Sequence, residues 1–290
     1  MGNKLPLTFG IFIISWSSIL IRWMGAIDPL IIAFYRLAFS AMVLLPFAMR
    51  RQPSKTPVAN RVFWLIPLAG IFLALHFYTW ITSLQLTTVG NSIFLESTHP
   101  LFAYILSVFF LKEKAGKSMI PAFILGLIGM YLMLSENITQ HSGALAGDSL
   151  AIFSAFCIAA YLLIARKSKQ DLPLLRYLFY VYGSAALLLL GPLLWNGVDF
   201  WELPVMVWVL LIILALGPNL IGHSLLNRAS RHMPVYLVNM ALLSESVLAT
   251  AYAAILLDEI PVLWFYLGAL FILYAIFMVF KRETISISEV

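Results

Sequence analysis

The sequence contains very little cysteine and few charged residues. Its 290 residues contain one cysteine, Cys157, which excludes an intrachain disulfide and a metal site built on paired thiolates. Only 11% of the residues are charged, whereas water-soluble domains carry about 25%, which argues against a soluble enzyme of this length. Walker, G-x-G-x-x-G and H-E-x-x-H motifs are also missing, so we expect no nucleotide-driven pumping, no cofactor and no metal.

Long apolar runs are what the sequence has instead. Apolar and aromatic residues make up 62% of the chain, its mean hydropathy is +0.96, and runs of roughly 20 residues separate short charged clusters. Runs of this length fit membrane-crossing helices rather than the alternating strands of a barrel. We therefore predict an all-α integral membrane protein whose first run is a retained span. The ten predicted spans are 5–25, 30–49, 62–84, 88–111, 118–135, 147–165, 174–195, 202–227, 234–257 and 262–280.

Basic residues are distributed unevenly between the predicted loops. If the N-terminus is cytoplasmic, 16 of the 18 lysines and arginines fall on the cytoplasmic side, and the outer loops hold only Arg22. Short cytoplasmic loops show this bias, so we predict that both termini are cytoplasmic. The net charge of +5 has the same origin and indicates no nucleic-acid partner, which would need a basic face with base-reading groups.

The two halves of the chain resemble each other in sequence. At an offset of 144 residues Pro29 pairs with Pro173, and at an offset of 146 Glu113 pairs with Glu259. A unit of five spans forces the second copy to insert upside down. We therefore predict two inverted five-helix repeats, residues 1–142 and 143–290, an architecture of transporters whose substrate site lies near the membrane midplane.

Several short motifs stand out in these spans and loops. They are Arg36 in Ala33-Phe34-Tyr35-Arg36, Pro100 in His99-Pro100-Leu101-Phe102-Ala103, the acidic turns Leu111-Lys112-Glu113 and Leu257-Asp258-Glu259, and the glycines Gly126, Gly129 and Gly268. With ten spans in two repeats, the chain resembles the EamA-type members of the drug/metabolite transporter superfamily over essentially its whole length. In the ninth span, Ser246 stands where the fourth has Pro100, which leaves the kink there open.

The resemblance implies a function more firmly than a cargo. It implies a secondary carrier of small organic metabolites or drugs in a bacterial inner membrane, with proton-coupled export by alternating access as the first choice. An uncoupled or uptake carrier for a cationic or amino-acid-like solute is the alternative. The cargo, the direction, the coupling ion and the choice between monomer and homodimer stay open, and Gly126 and Gly129 fit contacts within or between chains.

Ionisable residues inside lipid are costly and mark candidate functional sites. The predicted spans contain Arg36, His76, Glu96, His99 and Glu245. At about 1.5 Å per residue, the first three lie in one layer about 10–12 Å below the outer surface. His99 and Glu245 lie deeper and are equivalent positions of the two repeats, so we expect both near the central cavity.

Two interpretations are open for each carboxylate. Glu96 either takes up a proton or pairs with a cationic group of the cargo, or else it forms a structural pair with Arg36 that joins spans two and four. Glu245 has no cation in its own span, which favours a functional role; an ionised carboxylate bridged by His99 is the alternative.

The basic candidates have alternatives of the same kind. Arg36 can grip a cargo carboxylate, but pairing with Glu96 is the favoured interpretation. His76 is favoured as a hydrogen bond between helices, and His99 either assists Glu96 on its shared helix face or donates to a carbonyl.

Aromatic residues and helix breakers complete the candidates. Trp16, in the middle of span one beside two serines, and Tyr78 are predicted to form an aromatic wall for flat or cationic cargo. Pro100 and Gly217-Pro218 interrupt spans four and eight, either as static bends or as elements that move in alternating access.

One enzyme signature needs a separate assessment. His223 and Asn227 have the H-x-x-x-N spacing of some intramembrane proteases. Paired glutamates with a downstream arginine do not accompany them, and His223 is predicted near the inner surface. We therefore expect a carrier and not an enzyme.

Overall fold

The computed structural model describes residues 4–49, 62–86, 89–112, 120–139, 145–168, 172–197, 199–256 and 263–288. Within these ranges the chain is helical and forms no strand, which confirms the predicted all-α class. The predicted repeat boundary at 142 and 143 and the turn residues Glu113, Asp258 and Glu259 lie outside the described residues.

The helical segments follow the predicted spans closely. We name them in chain order α1 (Lys4–Ile14 and Ser17–Met24), α2 (Pro29–Met49), α3 (Val62–Leu86), α4 (Val89–Glu96, His99–Leu106 and Ser107–Leu111), α5 (Ile120–Thr139), α6 (Leu145–Lys167), α7 (Leu174–Trp195), α8 (Val205–Leu214, Ala215–His223 and Ser224–His232), α9 (Val235–Leu242 and Ser244–Leu256) and α10 (Leu263–Ser288).

Several of these segments are long and apolar enough to cross a membrane. In the described part of the chain, seven meet that standard, namely α1, α2, α3, α6, α7, α8 and α9. Shorter apolar stretches, His99–Leu111, Ile120–Leu132 and Tyr266–Met278, lie in α4, α5 and α10. The chain is therefore a multi-pass helical membrane protein, and the total of ten spans stays a prediction.

In the part of the chain that the structure describes, four helices are interrupted rather than continuous. α4 turns at Ser97–Thr98, directly before the helical piece that contains Pro100, and α8 is π-helical around Pro218. Both interruptions match the predicted prolines, which remove a helix hydrogen bond. α9 is interrupted at Leu243 without a proline, and α1 turns at Ser15–Trp16, which was not predicted.

Prolines fix where several helices begin. Pro29 is the first residue of α2, and the Asp28 carboxylate before it accepts a hydrogen bond of 2.8 Å from the Leu30 amide. Prolines also stand immediately before α7, α8 and α9, at Pro173, Pro204 and Pro234.

Helices of the first half pack against helices of the second half. α2 packs on α7, α4 on α9, α5 on α10, α3 on α6, and α1 on α8. Glycine allows a close approach of α5 to α10, because a Cβ on Gly129 in α5 would lie 2.7 Å from the Gly268 carbonyl oxygen in α10. This glycine contact is therefore made within one chain.

Candidate functional site

A polar cavity lies among the helices, and it consists of two adjoining pockets. The first is lined by residues of α1, α2, α3, α4, α6, α8 and α9. The second shares Trp80, Glu96, Leu242 and Glu245 with the first. We call the two pockets together the central cavity.

The five ionisable residues predicted inside the spans all line this cavity. Arg36 and His76 line the first pocket, His99 the second, and Glu96 and Glu245 both. Glu96 is the last residue of a helical piece of α4, and Glu245 lies in the first turn of a helical piece of α9. The interruptions of α4 and α9 therefore position one carboxylate each.

Arg36 is fully buried, but it is not paired as predicted. Its guanidinium carbon lies 3.6 Å from the centre of the Phe77 ring, and Nε, Nη1 and Nη2 find no hydrogen-bond partner among the described residues. The predicted pair with Glu96 is thus not formed, because the guanidinium lies on Phe77 instead. Both Glu96 and Glu245 line the same pocket as Arg36.

A polar network ties the backbone of Arg36 to α8. Ser40 Oγ donates to the Arg36 carbonyl or the Ala215 carbonyl, each at 2.8 Å. Asn219 Nδ2 approaches the Arg36 carbonyl at 3.2 Å and Ser40 Oγ at 2.9 Å. The backbone of this segment is held, while the guanidinium at the end of the side chain forms no hydrogen bond with a described residue.

His76 joins α3 to α6, which agrees with the favoured interpretation of a hydrogen bond between helices. The Ser154 hydroxyl lies 2.8 Å from His76 Nδ1 and 3.1 Å from the His76 carbonyl oxygen, and it can donate to either acceptor. The ring also stacks parallel to Trp80, with 6.4 Å between ring centres. His76 therefore positions the wall of the cavity.

Two polar contacts connect α4 to α9 beside the carboxylates. His99 Nδ1 lies 2.9 Å from Asn239 Oδ1, and Asn239 Nδ2 donates to the Val235 carbonyl, so His99 is the donor in its contact. Ser97 Oγ and Ser246 Oγ lie 3.2 Å apart. These contacts bridge the two interrupted helices.

The two predicted aromatic residues lie outside the cavity lining. Trp16 stacks on Tyr252, with ring centres 4.8 Å apart, at the turn of α1. Tyr78 is 37% exposed on the outside of the bundle. The aromatic residues that do line the first pocket are Phe77 and Trp80.

Sequence reasoning missed three polar residues of the site. His223 was predicted near the inner surface, but α8 continues to His232, so His223 is buried in the wall of the first pocket beside Phe77. Ser17 lines the same pocket, and Asn239 orients His99. Position in a span could have indicated His223, but nothing in the sequence distinguishes Ser17 and Asn239 from other polar residues in apolar helices.

Long apolar helices around a cavity lined by ionisable and aromatic residues are typical of multi-pass membrane proteins with an internal functional site. Within that class, residues 7–135 and 145–281 each match the EamA-like transporter family. The chain belongs to this family, which is one of transporters and not of enzymes.

Individual relatives match over part of their length. An uncharacterized transporter of Archaeoglobus fulgidus is 30% identical over 175 residues, which is 59% of each chain. S-adenosylmethionine uptake transporters of Rickettsia bellii and Rickettsia prowazekii are 32% and 27% identical, over 37% and 51% of this chain and 36% and 49% of theirs. A solved crystal structure has a TM-score of 0.78 at 16% identity and 96% coverage of both chains, a likeness of fold alone.

Proposed function

We propose that this protein is a secondary active transporter that exports small organic metabolites or drugs across a bacterial inner membrane in exchange for protons. The central cavity opens alternately to each side, and both termini lie in the cytoplasm. Glu96 and Glu245 exchange the proton or bind the cationic group of the cargo, with His99 assisting. The subunit is active as a monomer or a homodimer.

We further propose that ten spans form two inverted five-helix repeats, residues 1–142 and 143–290. Two separate matches to the same family, one in each half, support this division. The packing supports it as well, because α2, α4 and α5 each contact their equivalent helix in the other half, and the α3–α6 contact is mirrored by α8–α1. Inverted repeats place a transporter's site where the repeats meet.

The observation that carries the transport proposal is the pair of carboxylates in one cavity. Glu96 comes from the first half and Glu245 from the second, and both line the two pockets. Charged groups at such a depth are costly, which is a reason to assign them to proton or cargo binding.

Uptake of a cationic or amino-acid-like solute is the second candidate. Its support is the name of the Rickettsia relatives, S-adenosylmethionine uptake transporters, together with the acidic side chains of the cavity. One experiment should therefore measure both the direction of transport and the identity of the cargo.

Transport by the purified protein tests the proposal. Liposomes that contain only this protein and an internal pH indicator are exposed to S-adenosylmethionine, single amino acids and polyamines, under imposed pH gradients of both signs. We expect movement of at least one solute with opposite movement of protons. Glu96→Gln and Glu245→Gln are each expected to abolish the proton movement, since the amide cannot exchange a proton.

Glu202→Gln is the matched control, because Glu202 is an exposed glutamate that precedes α8. If both cavity variants retain transport with the same pH dependence as Glu202→Gln, the coupling role is wrong. If none of the solutes moves or exchanges across the membrane, the carrier proposal itself is wrong.

A further inference from the structure

Three unpaired polar groups face the first pocket from three different helices. They are the guanidinium of Arg36 in α2, Ser17 Oγ in α1 and His223 Nδ1 in α8, and no described residue forms a hydrogen bond with any of them. All three side chains are at least nine-tenths buried. Buried polar groups are almost always hydrogen-bonded, so a cluster of exceptions in a cavity indicates a place for a ligand.

The strongest of these groups is Arg36. A guanidinium keeps its charge and has five N–H donors in a planar fork that matches a carboxylate. Its face is already used, because it lies 3.6 Å from the centre of the Phe77 ring, while its edge is unpaired. His223 contacts the same ring edge-to-face, with ring centres 5.2 Å apart. Phe77 therefore brings both groups to one wall.

We propose that Arg36, Ser17 and His223 form a subsite for the carboxylate of a zwitterionic cargo, whose cationic group binds at Glu96 and Glu245. This subsite rests on the transport function proposed above. Ser17 and His223 supply neutral hydrogen bonds beside the bidentate guanidinium, and His223 uses the tautomer with a proton on Nδ1.

The two carboxylates select a zwitterion over a free anion. Glu96 and Glu245 line the same pocket as Arg36, so the site holds two acidic side chains beside one guanidinium. An isolated anion on Arg36 would be repelled by both, whereas a cargo that carries a cationic group as well complements both ends. Trp80 lines both pockets and therefore lies along the path between the ends.

Matched probes that differ only in the carboxylate test the subsite. S-adenosylmethionine is compared with its decarboxylated form, and L-methionine with 3-(methylthio)propylamine, by protection of the full-length protein in detergent from thermal unfolding and by competition in liposome transport. We expect at least one carboxylate-bearing probe to bind at least tenfold more tightly than its amine. A hydrogen bond to a charged group is worth about 1.5–3 kcal/mol, which corresponds to that factor or more.

Variants then assign the preference to the three side chains. Arg36→Met is expected to remove the preference for the carboxylate-bearing probe, and Arg36→Lys is expected to keep part of that preference. Ser17→Ala and His223→Gln are each expected to reduce the preference severalfold. Ser17→Ala keeps the test decisive if Arg36→Met does not fold, because the Ser17 hydroxyl has no hydrogen bond with a described residue to lose. Arg228→Met, at an exposed position of α8, is the matched control and should keep the full preference.

Three results would overturn the subsite. The first is that the amines bind or are transported as well as the carboxylate-bearing probes. This result would leave the carrier proposal intact. The second is an unchanged preference in Arg36→Lys and Ser17→Ala. The third is protection by chloride or inorganic phosphate alone that matches the zwitterions, which would assign a free anion to Arg36. Absence of any transport would instead contradict the carrier proposal.

Discussion

Ser97 Oγ and Ser246 Oγ lie 3.2 Å apart and join the interruption of α4 to the first turn of the second helical piece of α9. Glu96 directly precedes the first of these serines and Glu245 the second. One contact between the halves of the chain thus lies beside both cavity carboxylates. A hydrogen bond between two interrupted helices can hold the carboxylates in register, and it can break when the helices move apart.

The serine contact predicts non-additive effects on stability. Ser97→Ala and Ser246→Ala should each lower the free energy of unfolding by about 0.5–1.5 kcal/mol, because each removes the same hydrogen bond. The double variant should cost clearly less than the sum of the two. The measurement is chemical unfolding in detergent, with Ser149→Ala on the exposed face of α6 as the control. Strict additivity would mean that the serines are not coupled.

Asn239 is predicted to be essential for the orientation of His99. Asn239→Leu leaves His99 Nδ1 without its acceptor at 2.9 Å in a buried environment, which should cost about 1–3 kcal/mol of stability. Thermal unfolding of the purified variant measures this, and Asn196→Ala, at the exposed end of α7, serves for comparison. Equal melting temperatures for the two variants would show that the histidine contact contributes nothing.

Much of the helix pattern could be predicted from the sequence. α7 covers the predicted span 174–195, because Pro173 and a long uniform apolar run fix its start and length. Pro218 also marked the irregular part of α8. The interruption of α9 at Leu243 could not be predicted, because no proline or glycine marks it and it arises where α9 meets α4.

Charged residues of the candidate site could be predicted from the sequence, because charges are rare in apolar runs. The contacts and orientations of the side chains could not be predicted, because they depend on how the helices pack. Glu96 and Glu245 stand out as carboxylates in apolar runs, and both line the cavity. Arg36 was expected to pair with Glu96, but its side chain lies on Phe77, a choice that depends on helix rotation and not on composition. Tyr78 and Trp80 differ by two positions, and only the fold determines that Trp80 faces the cavity.

Gly129 is predicted to tolerate no side chain. In Gly129→Ala the new Cβ would lie 2.7 Å from the Gly268 carbonyl oxygen and 3.0 Å from the Ile272 amide nitrogen, both backbone atoms that cannot rotate away. α5 and α10 must separate, which should cost about 1–3 kcal/mol, as overpacking does.

Gly191→Ala provides the matched control for Gly129→Ala. Its Cβ would meet nothing within 4 Å in α7, and alanine favours a helix over glycine, so this variant should keep or slightly raise the melting temperature. The measurement is thermal unfolding of both variants, in which the melting temperature of Gly129→Ala is compared with that of Gly191→Ala. Equal stability would mean that α5 and α10 are not as close as the backbone distances indicate.

Arg231 is expected to stabilise the connection from α6 to α7 rather than only to mark the cytoplasmic side. Its Nη2 donates to the Ser168 and Leu172 carbonyls at 2.9 and 2.8 Å, and Nε donates to the Ala165 carbonyl at 3.4 Å. These carbonyls follow the end of α6 or lie in its last turn, where the helix itself leaves them without partners. The guanidinium also lies 5.0 Å from the centre of the Tyr177 ring.

Replacing Arg231 with methionine should therefore lower stability without changing cargo preference. Each hydrogen bond from a charged donor contributes about 1.5–3 kcal/mol, so the free energy of unfolding should fall by at least that amount. Arg231→Lys should recover only part of this stability, because a lysine ammonium lacks the planar, forked donors with which the guanidinium contacts several carbonyls at once. Arg228→Met, on the exposed face of the same helix, removes the same charge and should leave the melting temperature nearly unchanged. If the two methionine variants unfold alike, Arg231 contributes through its charge alone, and the three carbonyls must be satisfied without it.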